Sequence, residues 1–198
     1  MENRDIFELI GVGVGVFNLS LAALLEESEL NNIRFFDKKE AFDWHTGLLL
    51  ESSELQVSYL KDLVTPVNPQ SQFTFLNYLK QRKVLYQFLN RKTSSISRNQ
   101  FQHYFRWVAE KLECVQFNSE ISNIEFDGKH FAVTVNGEPH LSKNIVVGTG
   151  IAASIPEFAK PYLGEDVFHV NQYTQNKADL NGKRIAIVGG GQSGAEVM

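Results

Sequence analysis

Residues 6–37 read IFELIGVGVGVFNLSLAALLEESELNNIRFFD, and the parsing of this stretch decides the fold. The apolar start predicts a strand. Gly11, Gly13 and Gly15 then interrupt it, and glycine tolerates the tight turn that such an interruption needs. From Val16 to Glu27, Leu21, Leu24 and Leu25 share one face at helical spacing. Ile33 to Phe36 predicts a second strand, ending at Asp37. Strand, turn, helix and strand over about 30 residues make a βαβ unit. The expected class is α/β, with a doubly wound, Rossmann-like dinucleotide-binding domain.

Gly11 and Gly13 match the first two positions of G-x-G-x-x-G, and Val16 occupies the third. Gly11 allows the turn, and Gly13 lets a pyrophosphate approach the backbone at the helix N-terminus. Asp37 ends the second strand, where a carboxylate can hold a ribose hydroxyl. A second stretch, GGGQSGAE, begins at Gly189. There Gly189, Gly191 and Gly194 fit the pattern fully, after an expected strand at Arg184–Val188. Two such sites in one chain suggest a flavoprotein that binds FAD and a nicotinamide dinucleotide. Residues 1–180 are expected to form the FAD domain and 181–198 the beginning of the second.

Composition narrows the class. The chain has 198 residues, 43% of them apolar, with 15 phenylalanines, enough for a sizeable core. A net charge of -4 argues against a nucleic-acid partner, because phosphate contacts need a basic face. Cys114 is the single cysteine and cannot form an internal disulfide. That fits a reducing compartment. Leu9–Leu25 is apolar, but Glu2, Asp5 and Glu8 flank it where a signal peptide carries positive charge. Its glycines, Asn18 and Ser20 fit a membrane span poorly. The reading is a cytoplasmic protein without a transmembrane segment.

Residues 38–70, with Pro66 and Pro69, read as a long irregular and therefore functional loop. Phe101, Tyr104, Phe105, Val108 and Leu112 form a helical core stripe, with Ser97 and Gln100 as a capping box. Residues 115–148 read as strands. Asp127-Gly128 and Asn136-Gly137 are expected as two-residue turns, and NIVVGTG as a buried strand. Pro156 and Pro161 mark a connector. His103, His130 and His140 lack metal-ligand spacing, so no metal is expected. The stretch also lacks the cysteine pair of a disulfide reductase. His169 and Tyr173 precede the second glycine motif at a spacing similar to the His-x-x-x-Tyr element of flavin monooxygenases.

The stretches FDWHTGLLLESSELQVSYLKDLVTPVNP, FTFLNYL, SRNQFQHYFRW and VVGGGQSGAE together resemble the siderophore-pathway N-hydroxylating monooxygenases. These are the L-lysine N6-hydroxylases and L-ornithine N5-hydroxylases, and the motif order is most similar to the lysine enzymes. The resemblance covers nearly the whole chain and implies a cycle. NADPH reduces FAD, O2 adds to give a C4a-hydroperoxyflavin, and a neutral amine attacks the distal oxygen. By the same resemblance Gly11, Gly13, Gly15 and Asn18 lie on the FAD-phosphate turn, with Val16 replacing the family's usual proline. Trp44 and His45 lie against FAD, and Gln56 beside the isoalloxazine. Lys61 binds the substrate α-carboxylate, and Arg98 faces the cofactors. Gly189, Gly191, Gln192, Ser193 and Gly194 hold NADPH.

Arg98 also begins a predicted helix, where the dipole disfavours a cation without a partner. This argues for an anionic ligand. Lysine is the expected substrate. Ornithine, a diamine or histamine stay open, as does homo-oligomerisation. Sulfur or ketone oxidation is a weaker reading. Family members are roughly twice this length, so the chain alone is expected to be a catalytically incomplete FAD-binding fragment.

Overall fold

The computed structural model describes residues 6–91, 95–176 and 180–198. Glu2 and Asp5 of the acidic flank lie outside them. The opening strand is split at Glu8 into β1 (Ile6–Phe7) and β2 (Leu9–Val12). The two pieces join different sheets. β2 pairs in parallel with β3 (Ile33–Phe36), Leu9 opposite Ile33 and Val12 opposite Phe36. Helix α1 (Val16–Glu26) makes the crossover. β4 (Val115–Gln116) extends this parallel sheet beyond β3, and β8 (Ile145–Val147) extends it beyond β2. The order is β4-β3-β2-β8.

The second sheet holds the antiparallel layer, β5 (Ile121–Phe126), β6 (Phe131–Val135) and β7 (Glu138–Ser142), with β1 parallel to β7 at its edge. Asn136 and Gly137 form the expected two-residue turn, both at positive φ (49° and 86°), as a type I′ hairpin requires. The other connection is longer than expected. It takes four residues, 127–130, because Asp127 Oδ1 accepts the N–H groups of both Lys129 and His130. Ile10, Phe36, Val133 and Val135 join the two sheets in a small core.

The segment between β3 and β4 carries α2 (Phe75–Gln81), α3 (Leu85–Asn90) and α4 (Arg98–Lys111). The loop that precedes them is irregular apart from a short 3-10 turn at Thr46–Leu48 and an antiparallel bridge from Glu54 to Ser97. Ser97 accepts the Gln100 N–H and caps α4. The predicted stripe from Phe101 to Leu112 is buried, and Tyr104 is inaccessible at the centre of an aromatic cluster with Phe75, Tyr78 and Phe101. On α1 the fully buried face is Leu19, Ala22 and Ala23, while the predicted leucines 21, 24 and 25 pack at its margin. Alanines let the helix approach the main core closely.

Two expectations are corrected. β8 is half-buried and Val147 is 61% exposed, because β8 is the edge of its sheet. Residues 184–188 form no strand, since no neighbouring strand among the described residues offers a ladder, and all are exposed. After β8 come 3-10 turns at Glu157–Tyr162 and Val170–Gln172, then α5 (Tyr173–Asn176) and α6 (Gln192–Glu196). Among the described residues no helix is long and apolar enough to cross a membrane.

Candidate dinucleotide and amine site

The first glycine turn leaves β2 under tight constraint. Gly13 has φ +82°, and a Cβ there would lie 2.8 Å from the Gly148 carbonyl oxygen. A Cβ on Gly11 would lie 2.0 Å from Cδ1 of the fully buried Phe35. Gly15 starts α1 in extended conformation with no side-chain cap and no acidic residue in the first turn. The positive end of the helix is therefore open to an anion. Asn18 is buried, and its Nδ2 donates to Gly13 O at 2.7 Å and to Val12 O at 3.3 Å. Its side chain builds the turn from within. Asp37 reaches across from β3: Oδ2 accepts Val14 N–H at 2.7 Å and Oδ1 accepts Lys39 N–H at 2.9 Å. A carboxylate has lone pairs beyond these two, and Lys39 Nζ lies 3.7 Å from Oδ2.

The long loop is organised by α4 and by one buried carboxylate. Arg106 donates to Phe42 O and to Asp43 Oδ1, and the Gln102 amide donates to Trp44 O at 2.7 Å. These bonds set Trp44 edge-on against Phe105 and beside His45, with ring centroids at 5.2 and 4.9 Å. His45 takes a left-handed backbone, φ 49°. Gly47 follows because a Cβ there would overlap the Asn171 carbonyl, and Thr174 Oγ1 donates to Thr46 O. His169 caps its own turn by accepting Asn171 N–H.

Further on, Asp62 accepts four bonds, from Val64 N–H, Thr65 N–H, Thr65 Oγ1 and Phe75 N–H, at 2.7–3.0 Å. Ser20 Oγ on α1 donates to Leu63 O, and Tyr104 Oη accepts Leu63 N–H. The loop around Lys61 is thus clamped, while Lys61 itself is exposed. Among the described residues neither Lys61 nor Gln56, also exposed, makes a side-chain hydrogen bond or ion pair.

The second glycine turn meets the first half at Arg98. Arg98 Nη1 and Nη2 donate to Glu196 Oε2 and Oε1 at 2.8 and 2.6 Å. The anionic partner expected as a ligand is therefore a residue of α6. Gly189 has φ +116°, and a Cβ on Gly194 would lie 3.0 Å from Gly189 O, so the turn packs closely on its helix. Ser193 is half-buried and Gln192 is exposed. Partial burial, then the Arg98 charge, lower the His45 pKa, against the opposing pull of Glu196. The bonds from Arg98 and Gln192 hold Glu196 below the usual carboxylate range. Burial, then the Glu26 charge, push the Cys114 thiol up to about 12, which removes it as a nucleophile. Among the described residues no group of three His, Cys, Asp or Glu is placed to hold a metal.

The sequence model of the L-lysine 6-monooxygenase/L-ornithine 5-monooxygenase family matches residues 5–198. The chain belongs to this family. It is 40% identical to L-lysine N6-monooxygenase of Escherichia coli, over 96% of this chain and 45% of the relative. It is 42% identical to putrescine N-hydroxylase of Acinetobacter baumannii, over 100% and 46%. The FAD-bound structure of DfoA, a cadaverine monooxygenase of the desferrioxamine pathway from Erwinia amylovora, matches with a TM-score of 0.94 and 37% identity. That match covers 98% of this chain and 47% of DfoA. The chain spans about half the length of the curated relatives it matches.

As a member of the Lys/Orn monooxygenase family, the chain brings its predicted residues into three groups. Gly11, Gly13, Gly15, Asn18 and Asp37 form the first turn. Arg98 reaches the second turn through Glu196, and His45, within range of both charges, packs against Trp44. Gln56 and Lys61 are exposed on the long loop; Gln56 follows the bridge of Glu54 to Ser97, next to Arg98 in the chain, and among the described residues no side-chain hydrogen bond links Gln56 or Lys61 to either turn. Sequence reasoning missed Gly148, Asp62 and Glu196. The VVGTG glycine gave a signal for the first. Asp62 and Glu196 lay inside motifs already quoted, but their partners are distant in sequence.

Proposed function

We propose that the protein carrying this chain hydroxylates the side-chain amine of L-lysine in cytoplasmic siderophore biosynthesis, with FAD, NADPH and O2. The observation that carries the dinucleotide reading is the first turn. Its backbone is bent at Gly13 against Gly148 and leads into an uncapped helix end. Family membership supplies the reaction class.

In this reading the Gly11–Gly15 turn holds the FAD pyrophosphate, and Asp37 receives the ribose while bracing the turn. Trp44, His45, Gln56 and Arg98 border the flavin. Gly189, Gly191, Gln192, Ser193 and Gly194 hold NADPH. Bound flavin, reduced by NADPH, supplies the oxygen-activating chemistry that protein side chains lack. The protein binds the amine, turns it toward the flavin and desolvates it, which favours the neutral, nucleophilic form.

Lys61 supports an amino-acid substrate. Its neighbour Asp62 is saturated by four donors, so the ammonium is left to pair with an incoming carboxylate. A diamine is the second reading, favoured by the putrescine and cadaverine relatives. The activity is proposed for a protein of the relatives' length, and the 198-residue stretch alone for FAD binding without turnover. The test is hydroxylamine formation by the FAD-loaded, full-length protein with NADPH and a panel of lysine, ornithine, diamines and histamine. NADPH consumption that yields only peroxide with every amine would refute the reading.

A further inference from the structure

Glu196 closes an ion pair that spans the chain. The Arg98 guanidinium meets its carboxylate fork to fork, at 2.6 and 2.8 Å. That bidentate geometry is the strong form of such a pair. The two side chains are 12% and 21% exposed, against 42% each for the Arg106–Asp43 pair, so solvent screens them less. Glu196 Oε1 also accepts Gln192 Nε2 at 2.7 Å.

Arg98 stands against the field of its own helix, because it is the first residue of α4, at the positive end. Local electrostatics disfavours that placement, and the Glu196 carboxylate offsets it. Among the described residues no strand ladder and no backbone hydrogen bond ties 184–198 to the rest of the protein, whereas the Arg98–Glu196 fork does. One carboxylate thus aligns a side chain from each half, Arg98 in α4's first turn and Gln192 just past Gly191, and the charges of Arg98 and Glu196 both reach His45.

We propose that Glu196 is a positioning residue for the nicotinamide dinucleotide: by gripping Arg98 and Gln192 together it docks the second glycine turn onto the flavin-binding half. The inference rests on the NADPH reading above. It predicts that removing the carboxylate loosens the turn and weakens the nicotinamide site while the flavin site is retained.

The experiment is a calorimetric titration of NADP+ into the FAD-loaded full-length protein. Wild type, Glu196→Ala and Glu196→Gln are compared, with flavin absorbance reporting FAD occupancy. Hydrogen exchange is followed at residues 189–196. Glu196→Ala is expected to weaken NADP+ binding by about tenfold and speed exchange in 189–196, with FAD occupancy unchanged. Glu196→Gln, which keeps an acceptor for Gln192, is expected to fall between. NADP+ affinity in Glu196→Ala equal to wild type overturns the inference alone, as does parallel loss of FAD and NADP+. Failure of wild type to bind NADP+ removes the nicotinamide reading, and the inference with it.

Discussion

Asp37 Oδ2 accepts the backbone N–H of Val14 at 2.7 Å, joining the end of β3 to the middle of the first glycine turn. Asp37 is buried, and its other oxygen accepts Lys39 N–H. The residue expected to receive a ribose also holds the turn in shape. Asp37→Ala leaves the buried Val14 N–H without this acceptor, at a cost of about 1–3 kcal/mol. Urea unfolding should register that loss together with weaker FAD binding, and Asp37→Asn, which keeps an acceptor oxygen, should lose less. Wild-type stability in Asp37→Ala would refute the bracing role.

Gly11 is held by packing. Its Cβ would enter the ring of Phe35, which has no accessible surface. Gly11→Ala should destabilise the protein by about 1–3 kcal/mol through overpacking. Phe35→Leu in the same chain should recover part of the loss, as a double-mutant cycle on the unfolding midpoint can detect. Additive losses would contradict the clash.

Asp62 organises the loop that carries Lys61. Asp62→Ala strips the acceptor from three backbone N–H groups and a hydroxyl, two of the N–H groups buried. A loss of about 3 kcal/mol or more is expected. Asp62→Asn keeps one acceptor oxygen and should fold, with lysine KM raised more than kcat is lowered. Unchanged lysine KM in Asp62→Asn would separate the loop from substrate binding.

His45 sets a pH dependence. Much of the side chain is open, but the ring face toward Trp44 is covered, and Arg98 adds positive charge. Its folded pKa lies below the usual 6.5, so the folded state binds fewer protons than the unfolded state just below that value. The contribution of His45 is fully present above pH 6.5 and is lost as pH falls through the folded pKa. Relative to His45→Asn, wild type should lose stability on acidification below pH 6.5, while the difference between the two should be constant above it. By NMR the His45 midpoint should rise in Arg98→Gln. A wild-type midpoint at or above 6.5 would contradict this account.

Much of this architecture was legible in residues 6–37, because glycine punctuation and apolar period act locally. The βαβ unit, the α4 stripe and the Asn136-Gly137 turn all follow from neighbours within a few positions. What was not legible depends on distant partners. Asp127 lengthened its hairpin by capping two N–H groups at once. Residues 184–188 have strand composition, yet a strand exists only where another pairs with it. Arg98 carried a readable signal, a cation at the wrong end of a helix, but its answer lay 98 residues away at Glu196.

The most direct measurement is hydroxylamine formed per NADPH consumed by the FAD-loaded, full-length protein, with lysine and with cadaverine, in wild type and Lys61→Ala. Cadaverine is lysine without its α-carboxylate. The account predicts coupled hydroxylation of lysine by wild type, loss of lysine turnover in Lys61→Ala by about tenfold or more, and no comparable loss with cadaverine. Lysine kinetics unchanged in Lys61→Ala, or NADPH consumed without hydroxylamine from either amine, would contradict it.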